Sequence, residues 1–282
     1  MAQMKPEPLV AFNPGIGATS ELSLRVSVAT LVRVVFTNPA DGVGMLALER
    51  KATLQPAENG TVVAIKAQPF GGAVRIRDWQ TLQDLAGGFH FDSESSRSEQ
   101  DFRIFTRPTA WGAVRQFCLE QLSRADNPLL ETGPERELAE EFADALKISL
   151  QPAQYKHKPI ATLIEDDPAP TQNIHARGRL TARVYRIFEA AIADPALAQA
   201  MLHNSLGITN QDLAARALAD ARRGGKGRAN AVLALPIKLL GDVYSAMPLE
   251  ERNGPVVWEQ NRLDETVAAL LEGISVPKYH NL

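Results

Sequence analysis

The chain has 282 residues, of which 45% are hydrophobic and 22% charged, proportions that suit a globular protein with a sizeable core and exclude wholesale disorder. A formal net charge of −3 with a pI near 6.0 argues against a dedicated nucleic-acid binder, which needs a cationic surplus, but leaves room for a local anion site. The single cysteine, Cys118, excludes an intramolecular disulfide and any cysteine-rich zinc site.

Residues 1–20 carry Pro6, Pro8, Pro14, Gly15 and Gly17 and read as an irregular lead-in. Lys5 and Glu7 interrupt any apolar signal core, and Pro236 and Lys238 break the longest apolar run, Val232 to Leu240. A cytoplasmic protein without membrane association is therefore expected. From Leu22 the pattern alternates through Leu24, Val26 and Val28, and Leu31 to Phe36 is apolar except for Arg33. Both stretches predict strands. Asn38 to Gly42 supplies a turn into a second run, Met45 to Leu48, which ends in Glu49-Arg50-Lys51. Asn59-Gly60 marks another turn before the strand Thr61 to Ile65, and Gly71-Gly72 is read as lying between strands, with Ala73 to Ile76 as the next one.

Trp79 to Leu85 predicts a short helix stopped by Gly87-Gly88. Ser93 to Ser98 is expected as an exposed loop within an acidic cluster of Asp92, Glu94, Glu99 and Asp101, interleaved with Arg97 and Arg103. Asp101 to Phe105 then reads as a strand. Thr109 to Ser123 reads as an amphipathic helix that buries Cys118, and Asn127-Pro128 breaks it. A further helix starts near Thr132 to Pro134 and ends near Leu146, with Thr132 and Glu135 spaced for a capping box. Ala161 to Ile164 and Arg179 to Phe188 look like strands, with Phe188 onward equally open to a helix, and Glu165-Asp166-Asp167 reads as a solvated turn. Asp194-Pro195 and Thr209 or Asn210 open helices through Leu202 and Arg223, and Leu263 to Ile274 predicts a last one. No repeat or long linker divides the chain, so a single α+β domain over 21–282 is expected.

The helix around Arg136 concentrates the chemistry. Residues three and four apart share a helix face, so Glu137, Glu140 and Glu141 project from one side while Leu138, Phe142, Ala145 and Leu146 form an apolar stripe beside them. Clustered carboxylates repel unless a cation lies between them, and Mg²⁺ or Mn²⁺ suits such hard oxygen donors. From charge spacing alone a solvated acidic face is the commoner outcome. The order Arg136-Glu137-Leu138-Ala139-Glu140-Glu141, however, resembles the R-E-U-x-E-E section of the Nudix signature G-x5-E-x7-R-E-U-x-E-E-x-G-U, where U is aliphatic. Val34 to Phe36, Met45 to Arg50 and Pro69-Phe70-Gly71-Gly72 are similar to the family's strand, strand and glycine-pair order upstream of its box.

This resemblance implies a mixed or antiparallel sheet flanked by helices, with an insertion at about 77–127 and additional C-terminal helices. It implies Mg²⁺ or Mn²⁺ held by Glu137, Glu140 and Glu141, with Glu140 and Glu141 catalytic and Arg136 orienting the helix carboxylates. It also implies hydrolysis of a nucleoside diphosphate-linked substrate, with Gly71 and Gly72 allowing close backbone approach. The box is degenerate: the upstream glutamate position falls on Pro128 and the G-U end on Ala143-Asp144. An inactive Nudix-like domain binding a nucleotide or a protein is the alternative, and an unrelated α+β domain is the third reading. The densest basic segment, Arg222 to Arg228, offers Lys226 and Arg228 as phosphate contacts, although a solvated loop is the plainer reading and the Walker A order is absent. The five histidines show no metal-ligand spacing. Oligomeric state is left open.

Overall fold

The computed structural model describes residues 22–57, 60–171, 176–237 and 256–258. The protein is a mixed α+β fold organised around one strand, β1 (Leu24–Thr37). The two apolar stretches expected there form this single element. On one edge β1 pairs in parallel with β10 (Leu180–Ile192), from Arg25 opposite Thr181 to Val35 opposite Ala191. Its other edge is shared in turn by three antiparallel strands. β7 (Arg103–Thr106) takes Leu24 to Ser27, β4 (Phe70–Ala73) takes Ala29 to Val32, and β2 (Gly44–Ala57) takes Val34 to Thr37.

Beyond Ala47, β2 leaves β1 and continues between β3 (Gly60–Gln68) and β11 (Arg228–Pro236). This forms a three-stranded arm. β9 (Tyr155–Pro170) and β12 (Val256–Trp258) complete the far side through β10. Short β6 (His90–Phe91) pairs with β7, and β5 (Arg75–Ile76) with β8 (Leu130–Glu131) in a separate ribbon.

Alternation along β1 sends Val26, Val28, Val32 and Val34 to one face, where two helical groups cover them. α1 (Trp79–Ala86) and α3 (Trp111–Leu122) bury Leu82, Val114, Phe117 and Leu122 against the first half. α4 (Glu135–Leu146) and α5 (Pro195–Gly207) bury Leu138, Phe142, Leu197 and Met201 against the second. Phe142 stacks 5.2 Å from Phe70 of β4, ring centre to ring centre. Burying such a ring contributes about 2–3 kcal/mol, enough to hold α4 in register over the glycine pair. α6 (Asn210–Arg222) packs on the reverse face of the arm against Ala52, Ile65 and Ala231. α5 covers the arm's edge: Asn204 Oδ1 and Ser205 Oγ accept the outward N–H groups of Val232 and Ala234, which leaves that strand unable to recruit another.

Several expectations need correction. Gly71 and Gly72 lie inside β4, not between strands. Ser93 to Ser98 is not an open loop. It contains α2 (Glu94–Glu99), because Ser93 caps it by accepting from the Ser96 N–H. α4 has no capping box: Pro134 is its N-cap, and Thr132 donates to the Arg124 carbonyl instead. Glu165 to Asp167 continues β9, with Glu165 paired to Arg183 at 2.9 Å, and Phe188 onward is strand. The segment 77–127 holds α1, β6, α2, β7 and α3. The lead-in 1–20, the Asn59 turn residue and the helix at Leu263 to Ile274 lie outside the described residues. Among the described residues no helix is long and apolar enough to cross a membrane.

Candidate functional site

The split between β2 and β4 is where the carboxylates collect. Sequence separation is large there: Arg136 lies 63 residues beyond Ala73, yet its guanidinium donates to the Ala73 carbonyl at 3.0 Å. The same group contacts Glu137 at 2.6 Å, Glu131 at 3.2 Å and Glu140 at 3.3 Å. Arg136 is thus a clamp that ties the first turn of α4 to the end of β4.

Glu137 is buried directly over Gly72. A Cβ on residue 72 would collide with its carboxylate, so glycine here is what allows the approach. Gly71 has a different reason: its φ is +135° and a Cβ would strike the Thr30 carbonyl. Burial pushes Glu137 up to about 7, with Glu140 and Asp101 adding to the effect and Arg136 opposing it. One turn on, Glu141 reaches Glu49 of β2. Burial raises its pKa strongly, and the neighbouring Glu49 carboxylate adds hydrogen-bonded and like-charge contributions, partly offset by Lys51. Glu141 therefore keeps its proton at neutral pH, in hydrogen-bond contact with Glu49.

Glu49 itself is fully buried. Its Oε2 accepts from Gln68 at 2.7 Å, and Lys51 Nζ lies 3.2 Å from its Oε1. Neither Glu49 Oε1 nor Glu141 Oε2 accepts a well-formed hydrogen bond from the protein. Asp101, at the entry to β7, is pushed by burial up to about 6, with Arg103 opposing the shift.

The expected residues therefore divide. Glu137 and Glu141 point inward with Gly71 and Gly72 beneath or beside them, whereas the Glu140 side chain is 58% exposed and engaged by Arg136. Among the described residues no three carboxylate or imidazole groups already converge at ligating distance. Lys226 lies in the α6–β11 connection and Arg228 opens β11. Asp220 accepts there from the Gly227 and Arg228 N–H groups, and its carbonyl accepts from Gly225. The amides that glycine leaves free are thus used internally.

Sequence reasoning missed Glu49 as a site member. Its signal was available: a lone acid two residues beyond Ala47 on the strand face that α4 covers. Asp101 was assigned to a surface cluster, and only the fold carries it toward Glu137.

No family model matches the chain, and neither a curated protein nor a solved structure matches it.

Proposed function

We propose that this protein is a divalent-cation-dependent hydrolase of a nucleoside diphosphate-linked substrate, built on a Nudix-like sheet. The observation that carries the reading is the return of the Arg136 to Glu141 helix onto Gly71-Gly72 across the intervening α1–α3 segment. Arg136 clamps β4, and Glu137 sits on the one residue whose missing side chain admits it.

The donor chemistry fits Mg²⁺ or Mn²⁺. Glu137, Glu141 and Glu49 are hard oxygen donors, burial raises the pKa of the first two, and among the described residues Glu141 Oε2 and Glu49 Oε1 accept no well-formed hydrogen bond. When bound, the cation would neutralise phosphoryl charge and make water a stronger nucleophile. Glu137 and Glu141 would hold it, with Glu140 joining by a rotation away from Arg136. Arg136 keeps the helix seated while these charges change. Glu140, the exposed member, would take the proton from attacking water. Gly72 keeps the floor of the site free of side-chain bulk.

A second reading, a non-catalytic nucleotide- or protein-binding domain, is favoured by Pro128 at the position of the upstream glutamate and by the lack of a preformed three-ligand set. Mn²⁺ binding followed by spin resonance, together with phosphate release from nucleotide sugars, dinucleotides and nucleoside triphosphates, separates the two. The hydrolase reading expects turnover that falls by about 10²–10⁴-fold in Glu140→Gln and Mn²⁺ binding lost in Glu141→Gln. Nucleotide-induced thermal shift without turnover would select the binding domain.

A further inference from the structure

The arm beyond Glu49 carries a second charged arrangement that the carboxylate site does not use. Strand pairing places Lys51 between Lys66 on β3 and Asn230 on β11, directly opposite both. The next row on the same face joins Thr53 to Arg228. Directly opposed residues share a sheet face, so this face carries Gln68, Glu49 and Val232, then Lys66, Lys51 and Asn230, then Thr53 and Arg228. α6 lies on the reverse face, where it packs on Ala52, Ile65 and Ala231.

Two features of these rows work against stability. Like charges directly opposite one another in a sheet are destabilising, yet Lys51 faces Lys66. Lys51 answers to Glu49, whereas Lys66 and Arg228 are both exposed and form no ion pair with the described residues. In addition, at the β11 end of the row the buried Asn230 Oδ1, an acceptor, finds no hydrogen-bond donor among the described residues. Uncompensated cations one row from a cluster of carboxylates form a charge gradient along a single sheet face. A long anion can span such a gradient with its distal charge on the lysines.

We infer that the Lys51, Lys66, Asn230 and Arg228 rows are the subsite for phosphate groups beyond the cleaved linkage, so that the substrate carries a chain of three or more phosphates. Successive rows on one face are about 6.6 Å apart. The lysine row therefore lies beyond a diphosphate seated at Glu137 and Glu141 but within reach of a longer chain, and Arg228 takes its far end. The assignment of the rows to the hydrolase's own substrate rests on the proposed function, whereas anion binding by the rows does not.

The test is calorimetric titration of the full chain with inorganic tripolyphosphate and, separately, orthophosphate, in chelator so that no cation bridges. Tripolyphosphate should bind at least tenfold more tightly than orthophosphate. The double variant Lys66→Gln/Arg228→Gln should lose about tenfold, and Lys66→Arg should retain binding. The double variant should melt no lower than the parent, because an opposed like charge has been removed. That separates a binding role from a structural one. Equal affinity for the two anions, undiminished binding in the double variant, or binding of an RNA oligonucleotide without binding of tripolyphosphate overturns the inference. Tripolyphosphate binding that depends on Lys66 and Arg228 in a protein that takes up no Mn²⁺ upholds the anion rows and overturns the hydrolase reading instead.

Discussion

Two buried acidic groups lie on either side of β1, and they are built to opposite ends. Asp92 is complete. Its Oδ2 accepts twice from Arg25 at 2.7–2.8 Å, its Oδ1 accepts from Ser96 at 2.7 Å and Ser93 at 3.2 Å, and the ion pair is 3% and 2% exposed. Among the described residues Glu141 has no cation in contact, and it leans on another carboxylate. A buried charge that is paired and fully hydrogen-bonded holds structure together, whereas one left short of donors signals that its partner comes from outside. Acidity in the sequence does not separate the two. Satisfaction does.

Removing the structural acid should have the largest effect. Asp92→Ala strands the Arg25 guanidinium and should cost about 3–5 kcal/mol in chemical denaturation. Equal stability to the parent would show that water reaches Arg25.

Glu141→Gln should act in the opposite direction. The folded-state pKa of Glu141 lies above its ordinary value. Its contribution is therefore fully present below about pH 4.5 and is lost as pH rises through the folded value. The glutamine variant should match the parent near pH 5 and exceed it by about 1–2 kcal/mol near pH 8. Melting curves at both pH values check the sign. A variant less stable at the higher pH would place an undetected donor beside Glu141.

Ser96→Ala removes one of several donors to Asp92 and should cost about 1 kcal/mol. Gly72→Ala should be smaller still in stability, within about 1 kcal/mol, since the carboxylate end of Glu137 can swing aside. It should nevertheless weaken Mn²⁺ binding. Retained Mn²⁺ affinity in Gly72→Ala would remove Glu137 from the site.

The comparison also explains what the sequence disclosed. Strand and helix patterns were readable wherever one face is buried: the alternation from Leu24, the Gly87 stop, and the caps at Asp194 and Thr209 all appear as elements. The α4 helix was readable for the same reason, whereas the burial of Glu137 apart from the exposed Glu140 was not. The serines at 93–98 misled because serine composition suggests exposure, while Ser93 and Ser96 serve as a cap and a buried donor. Glu49 escaped because its meaning depends on Glu141, 92 positions away, and no local pattern encodes that meeting. The two opposed lysines were equally invisible, since register alone brings Lys51 to Lys66.

The central position of β1 has a consequence for synthesis. Its parallel partner β10 follows more than 150 residues later. At about 5–20 residues per second, one apolar edge of β1 waits on the order of 10–30 s before the strand that completes it has been made. The strands that reach it sooner, β2, β4 and β7, occupy only its other side. During that interval the nascent chain exposes an open strand edge, and a chaperone that shields such edges should raise the yield of folded protein more than one that acts after release.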